Sequence, residues 1–221
     1  MTYWEFLQLY WPKIIAGIIV TIEQFLIAST IMVLISILFG LMRLSSAAPV
    51  RGLATFYVEF FRGTSLLVQL YWMYFVLPVF GLPLDKFAAG YLAVAMNVGA
   101  YGAELVRGGI LSVPRGQWEA AYALSMSSTK RMRRIILPQA MLIMLPAWGN
   151  QFIDTLKGTA LVSLLGVADL MFQVNDINQM TYLSAQAFGT ALLIYYALAR
   201  FLLTPALRWI EARLRRSLSR T

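Results

Sequence analysis

The sequence predicts an all-α integral membrane protein with five transmembrane helices, the N-terminus outside and the C-terminus inside. Three observations carry this expectation. Hydrophobic residues make up 60% of the 221 positions and charged residues only 13%, whereas soluble domains run about a quarter charged. The apolar residues gather into runs long enough to cross a bilayer, roughly 20 residues each as helix. The basic residues crowd into alternate connections between those runs.

The runs lie at about 14–42, 60–80, 87–111, 135–157 and 185–210. The first exceeds a bilayer's needs and is expected to tilt or protrude. The second has an apolar approach from Leu53. Between the fourth and fifth, Thr159 to Phe172 is apolar but too short to cross. Such a piece is expected to be interfacial or re-entrant, with its backbone shielded by protein. No Pro- or Ser-rich linker and no internal repeat divides the chain, so residues 1–221 read as one membrane domain.

Orientation follows from charge. Arg43, Arg51 and Arg62 follow the first run; Arg107, Arg115, Lys130, Arg131, Arg133 and Arg134 follow the third. The tail carries Arg208, Arg213, Arg215, Arg216 and Arg220. The other side has only Lys13, Lys86 and Lys157, and Arg200 sits within the last run with its head expected to snorkel. The crowded side is cytoplasmic by the positive-inside rule. The opening MTYWEFLQLYW lacks a basic n-region and a cleavage site, so it is not read as a signal peptide. Its Tyr3, Trp4, Tyr10 and Trp11 suit an interfacial helix at the outer surface.

Composition also excludes. The chain has no cysteine and no histidine, so disulfides, thiolates, imidazole bases and the usual zinc ligands are out of reach. No cofactor and no metal are expected. The net charge of +8 is distributed as topology, which speaks against nucleic acid as a partner.

The third connection, residues 114–138, is the informative one. Pro114 and Gly116 end the preceding span. Gln117 to Leu124 is helix-prone, with Trp118, Ala121 and Tyr122 on one face at i, i+3, i+4. Ser125 to Ser128 reads as a turn, Ser127 or Ser128 as the N-cap of a second short helix, and Pro138 as the start of the fourth span. An apolar face in a wet connection wants a soluble partner to cover it.

The triplet EAA at Glu119, Ala120 and Ala121, followed by Leu137-Pro138, resembles the coupling loop of ABC importer permeases. The flanks are more specific. YVEFFRGTSLLVQLYW (Tyr57 to Trp72), GAYGAELVRGGILSVPRGQWEAA (Gly99 to Ala121) and KGTALVSLLGVADL (Lys157 to Leu170) resemble polar amino-acid permeases of the histidine, glutamine and arginine type. The likeness covers about Gly17 to Arg213. It implies a type I importer fold in the bacterial inner membrane. A second permease subunit, identical or paralogous, a cytosolic ABC ATPase dimer and a periplasmic solute-binding protein would complete the importer. No phosphate loop of the form G-x-x-x-x-G-K-[ST] occurs, so ATP hydrolysis is expected from a separate subunit. The resemblance assigns ATPase coupling to Gly116, Glu119, Ala120, Ala121, Ser125, Leu137 and Pro138.

Three departures stand out. Ser125 replaces the glycine common after EAA, and a positive φ there would cost a serine about 1 kcal/mol. Ser65 follows RGT where proline is frequent. Lys157-Gly158-Thr159-Ala160 stands where relatives carry Asp or Asn and then Ser, side chains that help bind substrate. That weakens the case for a cationic cargo held there.

Polar residues inside the runs need partners or water. Asn97, Glu104, Asn150, Asp154, Lys157 and Thr159 form the expected substrate path, with Glu23 open between path and helix contact. For Asn97 an interhelical bond competes with that role; for Glu104, a pair with Arg107 at i, i+3. Asn150, Asp154 and Lys157 share a face at i, i+4, i+7. The expected function is ATP-driven alternating access for a small polar solute, an amino acid first and an opine- or ectoine-type zwitterion second. The rival readings are an ATPase-independent channel or secondary transporter, a membrane enzyme, and a structural scaffold.

Overall fold

The computed structural model describes residues 2–218; Arg220 of the basic tail lies outside them. All regular structure in them is helical. α1 (Tyr3–Met42) is 40 residues long, about 60 Å at 1.5 Å per residue. A capping box starts it: Thr2 Oγ1 accepts from the Glu5 N–H, and the Glu5 carboxylate accepts from the Thr2 N–H. The aromatic N-terminal stretch, expected as an interfacial helix, is therefore the first part of α1 and carries Pro12 within it.

α2 (Ala48–Gly63) and α3 (Leu66–Tyr71) follow, with a π-helical turn (Trp72–Val76) and a 3-10 turn (Leu77–Phe80) continuing α3. The run expected as a single second span is bent by 107° between Gly63 and Leu66. Thr64 and Ser65 take extended backbone there, which breaks the helical ladder. α4 (Lys86–Leu111) is capped by Asp85, whose carboxylate accepts from the Ala88 N–H at 2.8 Å.

α5 (Arg115–Ala123) is the short helix expected around EAA. The second short helix is not separate. α6 (Ser128–Arg131), a π-helical turn (Met132–Ile136) and α7 (Leu137–Thr159) run on as one rod, so Pro138 lies inside a helix and does not open one. The widened turn explains the tolerance. Proline removes a donor and pushes on the preceding turn's carbonyl, and a π turn opens that ladder. The same spacing recurs: the π turns Trp72–Val76 and Leu198–Leu203 end two residues before Pro78 and Pro205.

A 3-10 turn (Ala160–Leu165) closes on Gly166 at φ 79°, and α8 (Leu170–Thr181) leaves at 48° to the preceding rod. α9 (Ser184–Ala197) continues through its π turn into α10 (Thr204–Leu218). By length and composition α1 and the α9–α10 rod are each able to cross a membrane, and each bent pair would add one more span if it counts as one.

α4 is the hub. Small residues let α1 approach it closely, as membrane helices do. A Cβ on Gly40 would lie 2.8 Å from the Ala103 carbonyl, and one on Gly102 would lie 2.1 Å from Ser36 Oγ. Ser36 donates back to Met32 O and across to Gly99 O; Tyr57 donates to Met96 O at 2.6 Å. A second cluster joins Phe6 and Ile14 of α1 to α8 and α9. A third joins Val106 and Ile110 of α4 to Ile136, Ala140 and Met144, with Trp118 of α5 packed against it.

Candidate functional site

The α5 helix presents two faces. Ala121 is fully buried and Trp118 is packed under the rod, while Gly116, Glu119 and Ala120 are exposed. The chain leaves α5 through Ser125 at φ 50°, in the left-handed region where glycine is at ease. The Met126 N–H closes this turn on Ala121 O at 3.1 Å. Leu137 and Pro138 sit beyond the π turn, half-buried in the rod. So the outward face of α5 carries the EAA glutamate and its first alanine, and the second alanine faces inward.

Near the far end of α4, Glu104 gathers three guanidinium groups. Arg43, just past α1, pairs with Oε1; Arg62 of α2 stands at 4.0 Å from the same oxygen; Arg107 donates to Oε2 at 3.1 Å. Arg62 also lies over the Tyr101 ring at 5.3 Å. Burial lowers the pKa of the Arg43 guanidinium, the Arg107 and Arg62 charges act in the same sense, and Glu59 opposes them. The i, i+3 pair was legible in the sequence; the two arginines from other helices were not.

Asn150, Asp154 and Lys157 lie together on an exposed face of α7, with Lys157 Nζ 3.8 Å from Asp154 Oδ1. An ionisable group facing hydrocarbon costs about 2.5–3.5 kcal/mol on insertion scales, so this face needs water or a second protein surface. Glu23 is exposed on α1. Thr159 is elsewhere: fully buried, with its hydroxyl donating to Leu156 O at 2.7 Å. Asn97 is buried too, its amide spent on Phe61 O and Gln69 Oε1. Gln69, absent from the expected set, joins the same network, and only its neighbourhood to the α2–α3 bend marks it out.

A cavity of about 720 Å³ lies between α1, α7 and α10, and another of about 320 Å³ between α2, α3 and α4. Their walls are chiefly apolar, with Phe25, Trp148 and Phe152 in the first and Phe61 and Trp72 in the second. The expected path residue Asn150 lines the first, together with Arg208 and Glu211, and Gln69 lines the second; polar groups of this kind orient a solute in an otherwise apolar pocket.

Residues 32–216 match the family described as binding-protein-dependent transport system inner membrane component. The L-cystine transport system permease protein TcyB of Bacillus subtilis (strain 168) is 36% identical over 220 residues, covering 96% of this chain and 92% of the relative. The probable amino-acid ABC transporter permease protein y4tF of Sinorhizobium fredii is 41% identical over 202 residues, 89% and 84% of the two chains. Among solved structures, an amino acid ABC transporter crystallised with histidines superposes with TM-score 0.88 at 39% identity, covering 96% of this chain and 99% of that one. The MetNI methionine ABC transporter in an inward-facing form shares the fold, with TM-score 0.79 at 18% identity over 93% and 97% of the chains. An all-helical chain with a permease fold, an exposed EAA helix and a family match over most of its length belongs to the binding-protein-dependent transport system inner membrane components, the permease subunits of ABC importers.

Proposed function

We propose that this permease moves a polar amino acid or amino-acid-like solute across the bacterial inner membrane by ATP-driven alternating access. Five spans with the N-terminus out and the C-terminus in would set α5 in the cytosol, as the basic connections favour. A cytosolic ATPase dimer grips α5, a second permease subunit completes the path, and a periplasmic binding protein delivers cargo. The relatives named for cystine and for amino acids support the cargo class.

One observation carries the coupling role: α5 exposes Glu119 and Ala120 on a helix whose opposite face is anchored in the subunit. The path reading rests on the exposed α7 face bearing Asn150, Asp154 and Lys157, which a second subunit would enclose together with water. Solute then crosses through differential affinity for two states of the path.

The test replaces Glu119 with Ala, or Ala120 with Trp, in the assembled importer. Uptake and binding-protein-stimulated ATP hydrolysis collapse while membrane insertion is retained. Wild-type uptake in both variants would remove the coupling role.

A further inference from the structure

The connection between α5 and the long rod is spanned by a buried arginine packed on two aromatic rings. Arg131, the last residue of α6, is 7% exposed. Its guanidinium carbon lies 3.8 Å from the Tyr122 ring centroid and 5.7 Å from that of Trp118. Those rings stand at i, i+4 on one face of α5. Among the described residues no carboxylate lies within ion-pair distance of Arg131, and its one side-chain hydrogen bond there is to Ser128 Oγ at 3.4 Å.

A buried guanidinium without a counter-ion costs energy unless something replaces water. Here two aromatic faces do so, and desolvated cation–π contacts are the strong ones. The planar, weakly hydrated guanidinium suits stacking where an ammonium does not. Lys130, Arg133 and Arg134 alongside are all exposed, so the neighbourhood has positive charge to spare. The stacking, not the charge, distinguishes Arg131.

The position matters. Between α5 and Arg131 lies the strained turn at Ser125; directly after Arg131 comes the π turn Met132–Ile136. Without the stack, α5 would be tied to the rest of the subunit by that turn, by packing of Trp118 and the buried Ala121, and by the exposed Gln139–Gln117 bond at 3.2 Å. We infer that Arg131 is a positioning residue, a cation–π clamp that makes α5 and the rod Ser128–Thr159 one lever and so sets how much ATPase motion reaches the membrane helices. This rests on the coupling role proposed for α5.

The experiment uses the complete importer in proteoliposomes, with a radiolabelled mixture of the standard amino acids as probe. Arg131→Met and Arg131→Lys are compared with Tyr122→Ala and Tyr122→Phe. Three quantities are read: ATPase retained on purification, ATP hydrolysed, and uptake per ATP. Arg131→Met and Tyr122→Ala should keep the ATPase bound and hydrolysing while uptake per ATP falls about tenfold, the population shift expected when a contact of this strength is removed. Arg131→Lys should fall between, and Tyr122→Phe, which keeps the ring, should match wild type. Because the chain has no cysteine, nitroxides at Ala123→Cys and Arg134→Cys report the lever directly. Their distance distribution should broaden in Arg131→Met and Tyr122→Ala. An unchanged uptake-to-hydrolysis ratio with an unchanged distribution overturns the clamp. So does loss of the ATPase from both Arg131 variants, which would make Arg131 a docking contact. Were the coupling role itself wrong, the Glu119 variant would transport normally whatever Arg131 did.

Discussion

The side-chain amide of Asn97 donates to the main-chain carbonyl of Phe61 at 3.1 Å, tying the middle of α4 to the end of α2. Phe61 O can only accept, so the geometry fixes which way the amide points. A helix end leaves its last carbonyls without partners, and hydrocarbon supplies none. Gln69 assists, donating to Phe61 O at 3.0 Å and to Thr64 Oγ1 at 2.6 Å, and its own oxygen accepts the second Asn97 hydrogen bond at 3.1 Å. The two amides supply partners for carbonyls that the 107° bend frees from the helical ladder.

Asn97→Leu should therefore destabilise the protein by about 1–3 kcal/mol, the cost of leaving buried polar groups unpaired. Thermal unfolding in detergent measures it. Asn97→Asp should be worse, since a carboxylate has no hydrogen for either acceptor. A melting temperature unchanged by both, with altered cargo preference, would return Asn97 to the path.

Glu104→Gln removes the one carboxylate that three arginines share. The expected loss is about 2 kcal/mol, the scale of charge-assisted bonds in a partly exposed cluster. Arg62→Ala should lose under about 1 kcal/mol, because Arg62 stands farthest from the carboxylate and is more exposed. Denaturation at low and high salt separates the two, with the Arg62 effect fading as ionic strength rises.

Gly40→Ala should cost about 1–3 kcal/mol by forcing α1 off α4, because the added methyl meets the Ala103 backbone as well as Val106. Gly52→Ala is the control: nothing lies within 4 Å of its would-be Cβ, and alanine is the better helix former by about 1 kcal/mol. The pair should move thermal stability in opposite directions.

Ser125→Gly should stabilise the α5–α6 turn by about 1 kcal/mol, because the turn holds φ at 50° and glycine adopts that without a Cβ clash. Hydrogen exchange at the Met126 amide, which bonds Ala121 O across the turn, should slow accordingly.

What the residues alone determined is local and periodic. Apolar runs of bilayer length, the helix at Gln117 to Leu124, the i, i+3 pairing of Glu104 with Arg107 and the shared face of Asn150, Asp154 and Lys157 follow from spacing along one helix, which sequence records directly. What only the tertiary structure decided depends on groups far apart in the chain. Whether Leu53 to Phe80 runs straight or folds at Thr64 turns on Asn97 supplying hydrogens from another helix. That Glu104 holds Arg43 and Arg62, and that Arg131 lies under Tyr122, follows from how helices cross. The fusion of α6 with α7 hangs on a single widened turn before Pro138, because a proline reads as a helix start and as a tolerated interior break alike.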